Sequence, residues 1–153
     1  MPTATGTRTI AASARTVWEV VGDPHHLPRW WPRVQRVEGV EDGTFTEVLA
    51  GKQGKVVRAD FALVDSVPER RLLWVQQLEG TPFARMLRNA ETEIALTERL
   101  DGGAEAVTEV TIELRQALRG ALSRFGAHLI KRAASATIQE ALEGLERMFG
   151  NGG

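Results

Sequence analysis

Between Val34 and Arg115 the chain alternates apolar and polar residues in short runs separated by turn-forming segments, the pattern of an antiparallel meander. Val34–Glu41 and Phe45–Ala50 flank Asp42-Gly43, a strong hairpin signal. Gly51-Lys52-Gln53-Gly54 makes the next turn, ahead of Lys55–Asp65. Val67-Pro68-Glu69-Arg70 reverses the chain into Arg71–Glu79. Gly80-Thr81-Pro82 leads to Met86–Leu100, and Asp101-Gly102-Gly103 precedes Ala104–Arg115. With the Thr-rich segment Thr3–Ile10 this makes seven predicted strands, six of them consecutive. Connections this short leave no room for parallel crossovers, so the sheet is expected to be antiparallel.

Period-two alternation assigns the faces. In the last strand Ala106, Thr108, Val110, Ile112 and Leu114 share one face, opposite Glu105, Glu109, Glu113 and Arg115. The strand before it groups Met86, Arg88, Ala90, Thr92, Ile94 and Leu96. Arg71–Glu79 sets Leu72, Trp74, Gln76 and Leu78 against Leu73, Val75, Gln77 and Glu79, and Lys55–Asp65 turns Val57, Ala59, Phe61 and Leu63 inward. One apolar and one wet face predict helices on a single side of the sheet.

Helical spacing appears in two places. Ser13 offers an N-cap ahead of Ala14, Val17, Trp18 and Val21, with Gly22 and Pro24 as stops. The proline-rich Asp23–Pro32 segment then permits one or two short turns. From Leu118 to Phe149 runs the longest helical stretch, and it carries two apolar faces. Leu118, Leu122, Phe125, Leu129 and Ala133 form the first, and Ile130, Ala134, Ile138, Ala141, Leu145 and Met148 the second. At about 100° per residue the two lie roughly 160° apart. Either the segment breaks, with Gly126 the favoured place, or its halves pack on different surfaces. Its basic residues come early and its acidic ones late, against the macrodipole, so packing must hold it.

Composition narrows the chemistry. The 153 residues carry 19 Lys and Arg against 20 Asp and Glu, which supplies no basic footprint for nucleic acid. With no cysteine, thiol catalysis, zinc ribbons, iron–sulfur clusters and disulfides are excluded. No apolar run approaches the ~20 residues of a membrane span, and nothing at the N-terminus resembles a signal peptide. The expectation is a cytoplasmic protein, monomeric or weakly dimeric, with one domain over 1–149 and a disordered tail over 150–153. No dinucleotide, phosphate-loop or nucleophile-elbow motif is present, and His25, His26 and His128 lack the spacing of a metal site. No cofactor or metal is therefore expected. The basic stripe Arg124, Lys131 and Arg132 reads as a solvated helix face.

The segments "SARTVWEVVGD", "DPHHLPRWWPRV", "VEGVEDG" and "VPERRLLW", followed by the long C-terminal helix, resemble the SRPBCC superfamily, in its polyketide cyclase/dehydrase and lipid-transport branch. The resemblance runs from about Thr3 to Phe149. It implies an α+β helix-grip fold: a curved seven-stranded antiparallel sheet wrapped on the C-terminal helix, with two short helices between the first two strands. It also implies an apolar cavity for a lipid, sterol, quinone or polyketide. It supplies no catalytic motif, and tyrosine, a usual phenolic acid, is absent altogether.

Faces and resemblance together predict a cavity lined by Phe61, Leu63, Trp74, Leu78, Met86, Ile94, Val110 and Ile112, with Phe125 and Leu129 from the final segment. Trp30 and Trp31 join as core or ligand wall, a choice equally open for Phe61 and Trp74. Arg88 interrupts an apolar row. It either fixes the polar end of an acidic ligand, with Gln76 and Thr92 as secondary donors, or snorkels to solvent. Three functions compete: a binder of a hydrophobic small molecule, a polyketide cyclase or dehydratase using Arg88, Gln76 or a pocket carboxylate, and a protein-interaction module.

Overall fold

The structure is a computed structural model. It describes residues 2–101, 105–120 and 122–150, with side chains described throughout except at 101 and 122–125. Strand β1 (Thr3–Ile10) is followed by helices α1 (Ala14–Val21) and α2 (Leu27–Trp30). Strands β2 (Val34–Glu41), β3 (Thr44–Ala50), β4 (Val56–Val67), β5 (Arg71–Gln77), β6 (Leu87–Asp101) and β7 (Glu105–Leu118) come next, and helix α3 (Leu122–Met148) closes the chain. All neighbours pair antiparallel in the order β1-β7-β6-β5-β4-β3-β2. This is the predicted seven-stranded sheet with two short helices after the first strand.

Local chemistry explains the punctuation. Asp42 and Gly43 take positive φ of 48° and 81°, as a two-residue hairpin matched to strand twist requires. Ser13 accepts the Thr16 amide at 3.2 Å and caps α1, while the Glu98 carboxylate takes the Ala14 amide at 2.8 Å and ties that end to β6. α3 lies tightly on the first edge of the sheet and on α2. A Cβ at Gly6 of β1 would come within 2.6 Å of Ile138, and one at Gly144 within 2.5 Å of the Trp30 carbonyl. Glycine at both positions permits the close approach.

The core gathers Ile10, Val17, Val21, Leu27, Leu72, Ile94, Val110 and Ile112 beneath Ile138, Ala141, Leu142 and Leu145 of α3. A second, smaller cluster joins Leu78, Leu87, Ala90 and Leu118 to Phe83, Ala127 and Ile130. Between the two lies the space that becomes the site.

Three expectations change. Leu118 is the buried last residue of β7, paired with Leu87, because continued pairing with β6 carries the strand three residues beyond Arg115. Gly120, at φ 59°, then makes the turn. α3 runs unbroken through Gly126 and buries one face, that of Ala134, Ile138, Ala141 and Leu145. Leu129, from the opposite face, is 66% exposed. The predicted start of the last strand at Ala104, and Asn151–Gly153 of the predicted tail, lie outside the described residues.

Candidate functional site

Strand β3 supplies the site's unusual residue. Its alternation turns Phe45, Glu47 and Leu49 toward α3, two apolar residues with an acid between them. Phe45 stacks on Phe61 of β4 at 5.3 Å and meets Trp74 of β5 edge-on at 5.2 Å. These three rings form a rigid floor. Above it a cavity of about 530 Å³ opens between the inner faces of β3–β7 and residues 130–137 of α3. Its apolar wall includes Leu49, Val57, Ala59, Phe61, Phe83 and Leu114, with Ile130, Ala133 and Ala134 from the helix. Trp31 closes one side, its ring set edge-on to Trp30 at 5.4 Å. Exposed Arg33 and Lys52 line the part that reaches solvent.

Inside this apolar shell stand Glu47, Gln76, Thr92, Gln116 and Thr137. Glu47 is 5% exposed, and among the described residues its carboxyl has no hydrogen-bond or ion-pair partner. Burial pushes it up to about 8, so it carries its proton at neutral pH. A neutral carboxylic acid donates one hydrogen bond and accepts others. The Gln76 amide nitrogen is also buried without a partner. Trp30 Nε1 is unpartnered as well, on a residue outside the cavity lining. Buried polar groups are normally satisfied, and the unpartnered Glu47 and Gln76 on one cavity mark a place where something else can supply the bond.

Of the residues predicted from sequence, the fold brings Trp31, Phe61, Gln76 and Thr92 onto this cavity. Trp30, Trp74, Ile94, Val110 and Ile112 are buried in the core around or beneath it, and Leu78 in the smaller cluster. Leu63 keeps its inward parity, yet it lies near the β2–β3 turn and is 38% exposed. Met86 is 48% exposed, since it caps a short 3₁₀ turn over Pro82–Arg85 and precedes β6. The Phe125 side chain lies outside the described residues.

Arg88 is exposed, and a bulge explains why. Leu87 pairs with Leu118 but Asn89 with Ala117, so Arg88 is the extra residue. Leu87 and Ala90 both face inward as a result, and the parity read back from Thr92 fails at Arg88. Glu47 was absent from the sequence-derived residues. Its signal was nevertheless there: an acid flanked at i−2 and i+2 by Phe45 and Leu49 in a predicted strand.

A family model described as polyketide cyclase/dehydrase and lipid transport matches residues 1–150. Among solved structures, a START superfamily protein from Mycobacterium smegmatis is similar at 16% identity and a TM-score of 0.73, over 96% of each chain. A conserved protein from Geobacillus kaustophilus aligns at 18% identity and 0.74, over 96% of this chain and 94% of its own. A protein from Thermus thermophilus aligns at 20% and 0.71, over 97% of each. No curated protein matches in sequence. At these identities the solved structures establish the START-like, helix-grip fold and leave the reaction open.

Proposed function

The chain belongs to the polyketide cyclase/dehydrase and lipid-transport family, and from that premise we propose that it binds a hydrophobic small molecule between the sheet and α3. The observation that carries this reading is the 530 Å³ apolar cavity, within the roughly 300–1,000 Å³ typical of ligand pockets. The few polar groups among its apolar walls are the usual means of fixing a ligand's orientation. No helix of the described residues is long and apolar enough to cross a membrane.

Titration with N-phenyl-1-naphthylamine, an uncharged dye, tests the reading. Saturable one-to-one binding with energy transfer from the tryptophans is expected, Trp31 being on the wall. Ala133→Trp, at an exposed position lining the opening, should weaken it by about tenfold or more. Absence of saturable binding would reject the reading. Mass spectrometry should recover a bound molecule chemically unchanged, whereas conversion would move the reading toward a cyclase.

A further inference from the structure

Glu47 is a costly residue to place where it is. An ionised carboxylate in that shell would need a cation or several donors, and no described residue bonds to it. Even the neutral acid leaves a strong donor unused, and an unmade buried hydrogen bond destabilises the protein. Leucine would fill the same inner-face position at no such cost, as Leu49 does two residues on. The acid makes physical sense if its partner arrives with the ligand. We propose that Glu47 is the polar recognition group of the cavity, donating a hydrogen bond to an acceptor oxygen of an otherwise apolar, uncharged ligand such as a ketone, ester or quinone.

This rests on the ligand-binding reading above and goes further by fixing the ligand's chemical class. The surroundings of Glu47 favour an acceptor over the alternatives. β4 presents Ala59 and Phe61, α3 presents Ala133, Ala134 and Thr137, and β5 presents Gln76; none of these is charged. The charged residues on the cavity are Arg33 and Lys52 at its exposed part, and Glu91 of β6. The Glu91 carboxylate is already held by Arg115 and Asn89. An ammonium ligand would have to pass the two cations. A carboxylate ligand would find no cation inside among the described residues, since Arg88 lies out on the bulge. A carbonyl meets neither obstacle. The Gln76 amide stands on the same wall as a second polar group, its register partner Phe61 being in the floor.

The test compares two uncharged naphthalene dyes, 6-propionyl-2-dimethylaminonaphthalene, which carries a ketone, and N-phenyl-1-naphthylamine, which has no acceptor oxygen. Each is titrated into the wild type, Glu47→Leu and Glu47→Gln. The ketone dye should lose about tenfold in affinity in Glu47→Leu, and Glu47→Gln should retain most of it through its amide N–H. The acceptor-free dye should bind all three within about twofold. Wild-type affinity for the ketone should fall as pH rises from 7 to 9.5, while Glu47→Gln stays flat over the same range.

Equal losses for both dyes in Glu47→Leu would overturn the proposal, and so would affinity that rises with pH. A pH dependence surviving in Glu47→Gln would assign the titration to another group and overturn it too. Failure of the acceptor-free dye to bind any of the three proteins would instead reject ligand binding itself, which keeps the two failures distinct.

Discussion

On the solvent face of the sheet Arg115 gathers three carboxylates, whereas on the inner face Glu47 meets none. Arg115 reaches Glu91 at 2.9 Å, Glu113 at 2.7 Å and Glu93 at 3.2 Å. The register makes that cluster necessary, because Glu93 and Glu113 lie directly opposite each other on β6 and β7. Like charges so placed repel, and the guanidinium beside them turns repulsion into a network. Glu91 is held below the usual carboxylate range by the Asn89 side chain and by Arg115. Glu47, on the other face of the same sheet, is pushed the opposite way by burial alone. One sheet thus shifts carboxyl groups in both directions. What differs is whether the fold supplies a partner, and the proposed role of Glu47 rests on that difference.

The largest expected effect comes from removing the titration on the inner face. Glu47 binds its proton more tightly folded, at about 8, than unfolded, near 4.5. Its favourable contribution is therefore complete below about pH 4.5 and lost progressively as pH rises to about 8. Glu47→Gln does not titrate. It should match the wild type near pH 4.5 and exceed it by up to about 4–5 kcal/mol at pH 8–9. Urea melts at both pH values measure this. A difference independent of pH would mean that Glu47 ionises in the fold, and the contrast between the two faces would collapse.

Breaking the outer network should cost less. Arg115→Met leaves Glu91, Glu93 and Glu113 clustered without a cation. These side chains are a quarter to a third exposed, so water screens them, and a loss of about 1–2 kcal/mol at pH 7 is expected. The pH signature is the reverse of that on the inner face. A depressed carboxylate contributes above its unfolded value and loses that contribution as pH falls through the folded one, so the wild type weakens on the acid side, below about 4.5. Arg115→Met should lose less there. Equal acid sensitivity in the two proteins would show that Asn89 alone sets the Glu91 shift.

These contrasts also mark where sequence reasoning reaches and where it stops. Strand number, order of elements and the inner row Thr108, Val110, Ile112 on β7 were legible, since they depend on turn chemistry and period-two alternation within one segment. Arg88 was misplaced because a bulge is set by which residue of β7 pairs with it, and no property of β6 alone encodes that choice. The same long-range pairing drew Leu118 out of the predicted helix. Leu129 misled for a different reason: an apolar residue at helical spacing marks a face but does not oblige a partner to cover it. Trp74 is open between core and ligand wall from sequence, and the structure buries it in the core with the Phe45 ring edge-on to it. Glu47 could have been found. Its strand was predicted, and assigning faces to β3 as to the other strands would have put an acid between two inward apolar residues.

The smallest effect sharpens the role of burial. Glu38 on β2 also sits beside cations: Arg58 and Arg36 each hydrogen-bond it, and together they hold it below its ordinary value, Arg58 first. This cluster differs from that of Arg115 in the exposure of its cations, 54% for Arg36 and Arg58 against 22% for Arg115, so its interactions are more open to screening over a Debye length of about 8 Å at physiological salt. Arg58→Ala should let the Glu38 carboxyl rise toward its ordinary value, read by carbon-13 NMR titration, and leave the melting temperature unchanged within error. Raising the salt in the wild type should move Glu38 the same way and leave Glu47 where it is, because burial alone shifts Glu47 and it has no ion pair for salt to screen. A loss of stability in Arg58→Ala comparable to that of Arg115→Met would show that pairing governs these carboxylates whatever their exposure. A salt-dependent Glu47 would show that solvent ions reach the carboxyl, and the cavity would then lack the shelter that gives a neutral acid its role.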